Sequence, residues 1–439
     1  MKKINIGFNK IKKNPVVSQS LKTMFLRITG VVTLFGFSLF LTHNYDPKII
    51  GQFDFIRMVL LVLSSICVLG TDQSILYFTG ILKSRNEIQK LKTIYKKIVL
   101  LIFVLCLLVL IIFFVIGQNR IDLFFNDKST YVLMAKAIFA LFFYSITLFN
   151  TETIRALDKI YIAELFRNTF KYVSVIFGAI ILFYYHQEAY LLDTFLIGFV
   201  ALAIITTIII FKLFKKHKDD IILQNETNSF TYSSIAHKSY PMAISNLAIF
   251  LMMTFDVVFL KKFKGDETVA YYAIVMKLVS ILFMINNSVY ISVSLKIAQL
   301  YTDNNKKELS KALQQSARMI VLLTVPVVLF VCLFSENILY FFGENYTQSK
   351  QALLILMVGQ LFASFFGVSA IYLNMTGRQS IFQIVLIFAV VLNLILNIIL
   401  IPVYSMTGAA IAFVSSLLFW NIITAIIVYK KDKLLIVFH

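Results

Sequence analysis

The chain has few of the features that mark secreted domains and soluble enzymes. Its 439 residues include only three cysteines, Cys67, Cys106 and Cys332, and these are far apart in sequence, so neither a disulfide framework nor a metal site is indicated. The sequence contains no Asp-x-Asp, no His-Glu-x-x-His and no phosphate-binding glycine loop. We therefore predict no catalytic residues, no metal ion and no cofactor.

Charged residues are also scarce. They make up 14% of the chain against 59% hydrophobic residues, and the mean hydropathy is +0.84. A soluble domain of this length could not keep so much apolar surface in contact with water. The apolar runs do not alternate with polar residues, which argues against an outer-membrane barrel. An all-α membrane protein is the remaining fold class, because only helices then satisfy the backbone in lipid.

Hydrophobic stretches of membrane-spanning length predict about twelve helices. The basic start MKKINIGFNKIKKNPVV resembles a signal peptide, but the run after it has no small-residue cleavage site, so we interpret that run as an uncleaved first span. The predicted spans are 21–43, 52–80, 97–117, 131–151, 160–184, 191–212, 238–261, 269–295, 317–334, 350–373, 380–401 and 408–429.

The distribution of Lys and Arg predicts the orientation, since these residues favour cytoplasmic loops. With a cytoplasmic N-terminus, thirty of them fall in inside segments and seven in outside segments. Both termini are therefore predicted to be cytoplasmic. The same asymmetry accounts for most of the formal net charge of +19, so a nucleic-acid partner is not predicted.

The two halves of the sequence repeat at an offset of roughly 220 residues. Asp46 then falls on Asp266, and Arg57 falls on Lys277. Six helices in each half make the repeat parallel, with an axis along the membrane normal. We predict two pseudo-symmetric six-helix bundles, residues 1–215 and 238–439, around a central cavity and joined by a cytoplasmic linker at 216–237.

Four stretches resemble the polysaccharide-exporter branch of the multidrug/oligosaccharidyl-lipid/polysaccharide superfamily, the Wzx-type flippases with the MATE fold. They are YDPKIIGQFDF, YPMAISNLAIFLMMTFDVVFLKKFKGDETVAYYAIVMKL, LNMTGRQ and VLNLILNIILIPVYSMTGAAIAFVSS. The resemblance implies a flippase for a polyprenyl-pyrophosphate-linked oligosaccharide in a bacterial inner membrane. Membrane lipids, and a polymerase or ligase of the same export pathway, would be its partners. Relatives that flip lipid II add two further helices, which favours an O-antigen or capsule repeat unit here.

Basic residues inside predicted spans are the candidates for binding the anionic head group, because a charge in the bilayer tends to face protein or water. Lys277 and Arg57 could face one phosphate group, or each could reach the interface or neutralise an acid such as Asp54 or Asp256. Arg27 could meet substrate in an inward-open vestibule or anchor its helix. For Lys136, near a span end, reaching the interface is the favoured alternative.

Asp256 is the candidate for ion coupling, because it lies deep in the apolar stretch MMTFDVVF and could exchange H⁺ or bind Na⁺. The competing interpretation pairs it with Lys277. Asn393 and Asn397 share a helix face and are expected to hydrogen-bond between helices, with sugar contact as the alternative. Glu164, nearer a cytoplasmic end, is expected to be solvated or bonded to a loop.

Three other classes of function remain open. A membrane glycosyltransferase or polymerase would need a soluble catalytic region or large outer loops. A MATE-type drug or cation exporter would favour an acidic cavity rather than the basic one that Lys277 suggests. A non-transporting assembly partner is the third. The sign of the charge around the cavity discriminates best between a flippase for a phosphate-bearing substrate and a MATE-type exporter.

Overall fold

The computed structural model describes residues 15–216, 231–366 and 368–434, and every regular element in these ranges is helical. This confirms the predicted all-α class. Leu, Ile and Phe dominate the helices, and their backbone groups are bonded within each helix, as a lipid environment requires.

Eight helices precede residue 217, two of them joined by a π turn at Phe166–Phe170. They are α1 Pro15–Asn44, α2 Pro47–Val68, α3 Thr71–Ser84, α4 Leu91–Phe125, α5 Ser129–Ala156, α6 Ile160–Leu165, α7 Lys171–Tyr184 and α8 Leu191–Lys216. Seven more follow in the described part of the second half. They are α9 Tyr232–Lys264, α10 Asp266–Thr302, α11 Lys306–Leu333, α12 Ser335–Phe342, α13 Lys350–Ser364, α14 Val368–Met375 and α15 Gln379–Asp432.

Within the described ranges, ten helices are long and apolar enough to cross a membrane, and eleven if the bent pair α13–α14 forms one span. The helix α15 has 54 residues, and a straight helix of that length would extend roughly 80 Å, more than twice the hydrocarbon thickness. It breaks at Ser405, where φ is 52° and ψ is −131°. Its two arms correspond to the predicted spans 380–401 and 408–429, which agrees with the predicted number of about twelve.

The predicted span 52–80 differs from the structure, because the chain breaks at Leu69 and Gly70 between α2 and α3. Both residues have positive φ, 51° and 71°. A Cβ on Gly70 would lie 2.5 Å from the carbonyl oxygen of Ser239 at the start of α9. Glycine therefore permits both the turn and the close approach of α9, and hydropathy alone does not report either.

The helices form two compact units. One contains Leu63–Gly117, Met134–Ala243 and the described residues before Thr42; the other contains Thr42–Val62, Gln118–Leu133 and the described residues from Ile244 onward. The first part of α2 thus packs with residues from the second half of the chain. The division into bundles 1–215 and 238–439 around a central cavity stays a prediction, and most of the linker 216–237 lies outside the described residues.

In the second unit, the backbone of α2 packs closely against the turn between α9 and α10. A Cβ on Gly51 would lie 1.8 Å from the carbonyl oxygen of Asp266, and Gln52 donates to the Asp266 carboxylate at 3.2 Å. Buried Lys261 pairs with Asp266 and, at 3.3 Å, with Asp127. The sequence repeat placed Asp266 at a helix turn, and the structure adds that the turn is a packing site for α2.

Asp127 lies between two spans and, like Asp266, is a partner of Lys261. Partial burial alone would raise the pKa of Asp127, but hydrogen bonds from Thr130 and Ser129 outweigh it and hold the pKa below its ordinary value. Asp127 therefore stays ionised as a partner of Lys261.

Replacing Gly51 with alanine is expected to destabilise the protein, because the new methyl group would overlap the backbone of Asp266. Overpacking of this kind costs about 1–3 kcal/mol. The melting temperature of the purified protein in detergent should fall. Gly36→Ala is the matched control, since its Cβ would meet nothing within 4 Å. Equal melting temperatures for the two variants would contradict the contact.

Candidate functional site

Asp54, Arg57 and Lys277 form an ion cluster in the second unit. Arg57 contacts Asp54 Oδ1 at 2.9 Å through Nη2 and 3.0 Å through Nε, while Lys277 Nζ contacts Oδ2 at 3.0 Å. The Asp54 side chain is 1% exposed and Lys277 7%, whereas Arg57 is 23% exposed. Two cations share one carboxylate, so the three residues carry one excess positive charge.

The local sequence explains the contact between Asp54 and Arg57. Arg57 follows Asp54 by three residues on α2, the spacing at which helix side chains meet. Lys277 comes from α10, so Arg57 and Lys277 meet on one carboxylate. That the two cations face a substrate phosphate in a central cavity stays a prediction. Of the two acids considered for neutralising Lys277, the structure selects Asp54 and not Asp256.

Asp256 is fully buried between α9, α10 and α15. It accepts hydrogen bonds from Tyr272 at 2.9 Å, from Asn397 at 2.8 Å and from Asn393 at 3.5 Å. Asn397 also donates to Asn393 within α15 at 3.1 Å. The expected bonding between helices is confirmed by the bonds from α15 to Asp256 on α9. The side-chain amide oxygen of Asn397 (Oδ1) is buried with no hydrogen-bond partner in the described part of the chain.

Arg27 lies in the other unit and pairs with Glu164 at 3.1 Å; their side chains are 26% and 1% exposed. Glu164 also accepts from Asn168 at 2.9 Å, within the π turn. The expectation that Glu164 is solvated or bonded to a loop was wrong. Helix α1 covers it, because Gly30 lets α1 approach the Asn168 side chain closely, and Arg27 and Asn168 replace water as its partners.

Lys136 pairs with Asp193 at 2.8 Å, and both side chains are substantially exposed. Each of the four predicted cations therefore has an acidic partner. The structure brings Arg57 and Lys277 together, while Arg27 and Lys136 each have a different carboxylate. In the described ranges, no group of three or more His, Cys, Asp or Glu residues could hold a metal ion.

Sequence reasoning missed two groups at these positions. Asp54 was noted only as one acid near the cations, although its carboxylate connects them. Tyr272 was not singled out, since the sequence carries no signal for a tyrosine that donates to a carboxylate sixteen residues earlier. The repeat offset pointed only to the cations.

Two family profiles match the chain. The family described as "Polysaccharide biosynthesis protein" matches residues 16–295, and the family MatE matches residues 241–399. The chain is also 23% identical over 190 residues to the probable low-salt glycan biosynthesis flippase Agl15 of Haloferax volcanii. That match spans 43% of this chain but only 39% of the length of Agl15.

Solved transporters share the fold. The lipid II flippase MurJ in its inward closed conformation aligns with a TM-score of 0.70 at 14% identity, over 93% of this chain and 87% of MurJ. An inward-facing multidrug resistance MATE transporter aligns with a TM-score of 0.69 at 13% identity, over 92% and 96% of the two chains. At these identities the likeness establishes a MATE-like fold.

Proposed function

The chain belongs to the polysaccharide biosynthesis protein family of membrane flippases, and we propose that its substrate is a polyprenyl-pyrophosphate-linked oligosaccharide of the O-antigen or capsule type. The matched families are transporter families and not enzyme families. In the proposed reaction the lipid-linked unit moves from the cytoplasmic to the outer leaflet by alternating access. The thirty-to-seven distribution of basic residues supports cytoplasmic termini in an inner membrane.

The ion cluster at Asp54 is the observation that supports this substrate most directly. A pyrophosphate leaving water needs charge-assisted hydrogen bonds. Arg57 and Lys277 supply two cations at one place, on the carboxylate of Asp54. Arg57 is the more accessible member, so we assign it the first contact with a phosphate oxygen and Lys277 the second.

In the other unit, Arg27 has a similar arrangement, because this partly exposed arginine pairs with the buried carboxylate of Glu164. We assign it to contact with the head group at an earlier or later stage of transport. Lys136 is the weakest of the four candidates, because its exposed pair with Asp193 is the arrangement expected of a lysine that reaches the interface.

Asp256 is our candidate for coupling. Its carboxylate is buried among donors, and the unpartnered side-chain amide oxygen of Asn397 belongs to the same buried group. Carboxylate and amide oxygens together are the ligands that a hard cation takes, and a proton on Asp256 is the other way to neutralise it. A driving ion of either kind would bind here during each cycle.

A MATE-type exporter is the second candidate function. The MatE profile covers residues 241–399, which include Asp256, Asn393 and Asn397. An exporter of cations would not need Arg57, whereas a carrier of a pyrophosphate would. The variants of Arg57 therefore separate the two functions.

Arg57→Gln is expected to reduce transport of a lipid-linked oligosaccharide in proteoliposomes roughly 10–100-fold. A charge-assisted contact contributes about 1.5–3 kcal/mol, and each 1.4 kcal/mol is about tenfold. Transport is measured as the access of a membrane-impermeant glycosidase to the delivered sugar. Arg155→Gln is the matched control, because Arg155 also pairs with an acid three residues before it and is similarly exposed. Full transport by Arg57→Gln would exclude the head-group role.

A further inference from the structure

A groove of about 530 Å³ runs between α4, α5 and α8, within the unit that contains Leu63–Gly117 and Met134–Ala243. Its lining is apolar except for the side chains of Tyr95, Lys96 and Thr207. Several of the apolar lining residues are exposed, among them Leu100, Phe103, Ile204, Ile208 and Phe211. Exposed apolar side chains on membrane-spanning helices face lipid tails, so the groove is open toward the bilayer.

The groove has one basic end. Lys96 lies there, near the start of α4, beside Phe211 near the end of α8. Phe103 and Ala203 line the opposite end, and these steps of seven and eight residues correspond to about 10–12 Å along the helix axes. One leaflet contributes about 15 Å of hydrocarbon, half of the core. The groove therefore extends from the head-group level across most of a single leaflet, the one predicted to be cytoplasmic.

Two lysines lie at the basic end of the groove. Lys92 and Lys96 are both exposed and are four residues apart, so they share a face of α4. Among the described residues, neither of them forms an ion pair, and the nearby carboxylate of Glu87 is bonded to Lys90 at 2.9 Å. Two available cations beside an apolar groove are complementary to a lipid that joins an anionic phosphate to an apolar chain.

A polar network connects the walls of the groove. The Tyr95 hydroxyl on α4 donates to the side-chain oxygen of Asn150 on α5 at 2.9 Å. The Asn150 amide group donates to Thr206 at 3.0 Å and to Thr207 at 2.9 Å, both on α8. These bonds hold the three helices together beside the groove, so the groove is formed without a ligand.

We propose that this groove binds one acyl chain of an anionic phospholipid of the cytoplasmic leaflet, with the lipid phosphate on Lys96 and Lys92. A zwitterionic lipid brings its own cation beside the phosphate, so a head group with net negative charge, such as phosphatidylglycerol, fits better. The polyprenyl tail of the proposed substrate is the other apolar chain present. A head group that crosses the membrane would leave these lysines, whereas a phospholipid can stay on them, so the site belongs to a resident lipid.

Native mass spectrometry of the full-length chain, released from nanodiscs with equal phosphatidylglycerol and phosphatidylcholine, tests the basic end. The unmodified chain should retain phosphatidylglycerol in excess. Lys96→Gln should reduce that excess about fivefold, the factor that one lysine near an anionic membrane surface contributes. Lys212→Gln is the matched control, because Lys212 is also exposed and follows Phe211 directly but does not line the groove. An unmodified chain without the excess, or equal losses in both variants, would overturn the proposal.

Ile204→Trp tests the apolar part, because the larger side chain fills the groove from its open side. It should reduce the retained phosphatidylglycerol as far as Lys96→Gln does. Ile205→Trp is the control at the next position of α8, where the side chain is 46% exposed against 54% for Ile204 and does not line the groove. Equal losses from the two tryptophan variants would contradict a defined groove. Farnesyl pyrophosphate is added to the same nanodiscs, and if Ile204→Trp loses this probe but keeps phosphatidylglycerol, the groove binds the substrate tail and the proposal is wrong.

Discussion

Asp54→Ala is expected to lower the amount of folded protein in the membrane more than either Arg57→Ala or Lys277→Ala. The carboxylate is the partner of both cations, and its loss leaves buried Lys277 without this counter-ion. Breaking a buried ion pair by removing one member costs about 3–5 kcal/mol. Lys277→Ala should be milder, because Arg57 remains on Asp54 at 2.9 Å. Protein abundance and melting temperature give the order of the three variants.

The double variant Asp54→Leu with Lys277→Met should recover abundance, since a buried pair replaced by apolar side chains of similar volume is often neutral or stabilising. It should not recover transport, because a head-group cation is gone. Full transport by this double variant would remove Lys277 from the mechanism. Equal abundance of all three single variants would show that Asp54 is not the centre of the cluster.

Asp256→Asn is expected to reduce the rate of coupled transport at least tenfold, while the protein remains folded. The amide oxygen can take the Oδ1 position and still accept from Asn397, while the NH2 group faces the Tyr272 hydroxyl, which can turn to accept. The amide neither exchanges a proton nor carries charge for a cation. Asp256→Ala should in addition reduce stability, because three buried donors lose their acceptor at about 1–3 kcal/mol for each group left unsatisfied. Transport is measured with an imposed H⁺ gradient and, separately, with an imposed Na⁺ gradient.

The comparison of the two Asp256 variants separates coupling from structure. Tyr272→Phe serves as the control, since it removes one donor to Asp256 and leaves the carboxylate in place. If Asp256→Asn transports at the unmodified rate under both gradients, Asp256 has no coupling role. Its three hydrogen bonds would then serve only to join α9, α10 and α15.

The spans could be predicted because a membrane-spanning helix requires a long apolar run, and basic residues flank such runs on the cytoplasmic side. The breaks within those runs could not. Gly70 turns the chain where α9 approaches, and Ser405 turns it inside a run of apolar residues. Both depend on contacts between segments that hydropathy treats independently.

The candidate site was predictable in part for a similar reason. The repeat offset indicated that Arg57 and Lys277 belong together, since equivalent positions of two related halves occupy related places. It did not indicate which acid lies between them, because the choice between Asp54 and Asp256 depends on how each helix is rotated. Lys277 and Asp54 are 223 residues apart, and only the packed structure shows their 3.0 Å contact.

The break at Ser405 also bears on how the chain enters the membrane. The two arms of α15 fold back without a loop, since a Cβ on Gly408 would lie 2.4 Å from the carbonyl oxygen of Leu400. There is no polar connection long enough to let the first arm settle in lipid while the second is still being synthesised. We expect the arms to leave the insertion machinery together, as one hairpin. A ribosome that stalls between them would leave a half-built hairpin, and that nascent chain would be the natural target for membrane quality control.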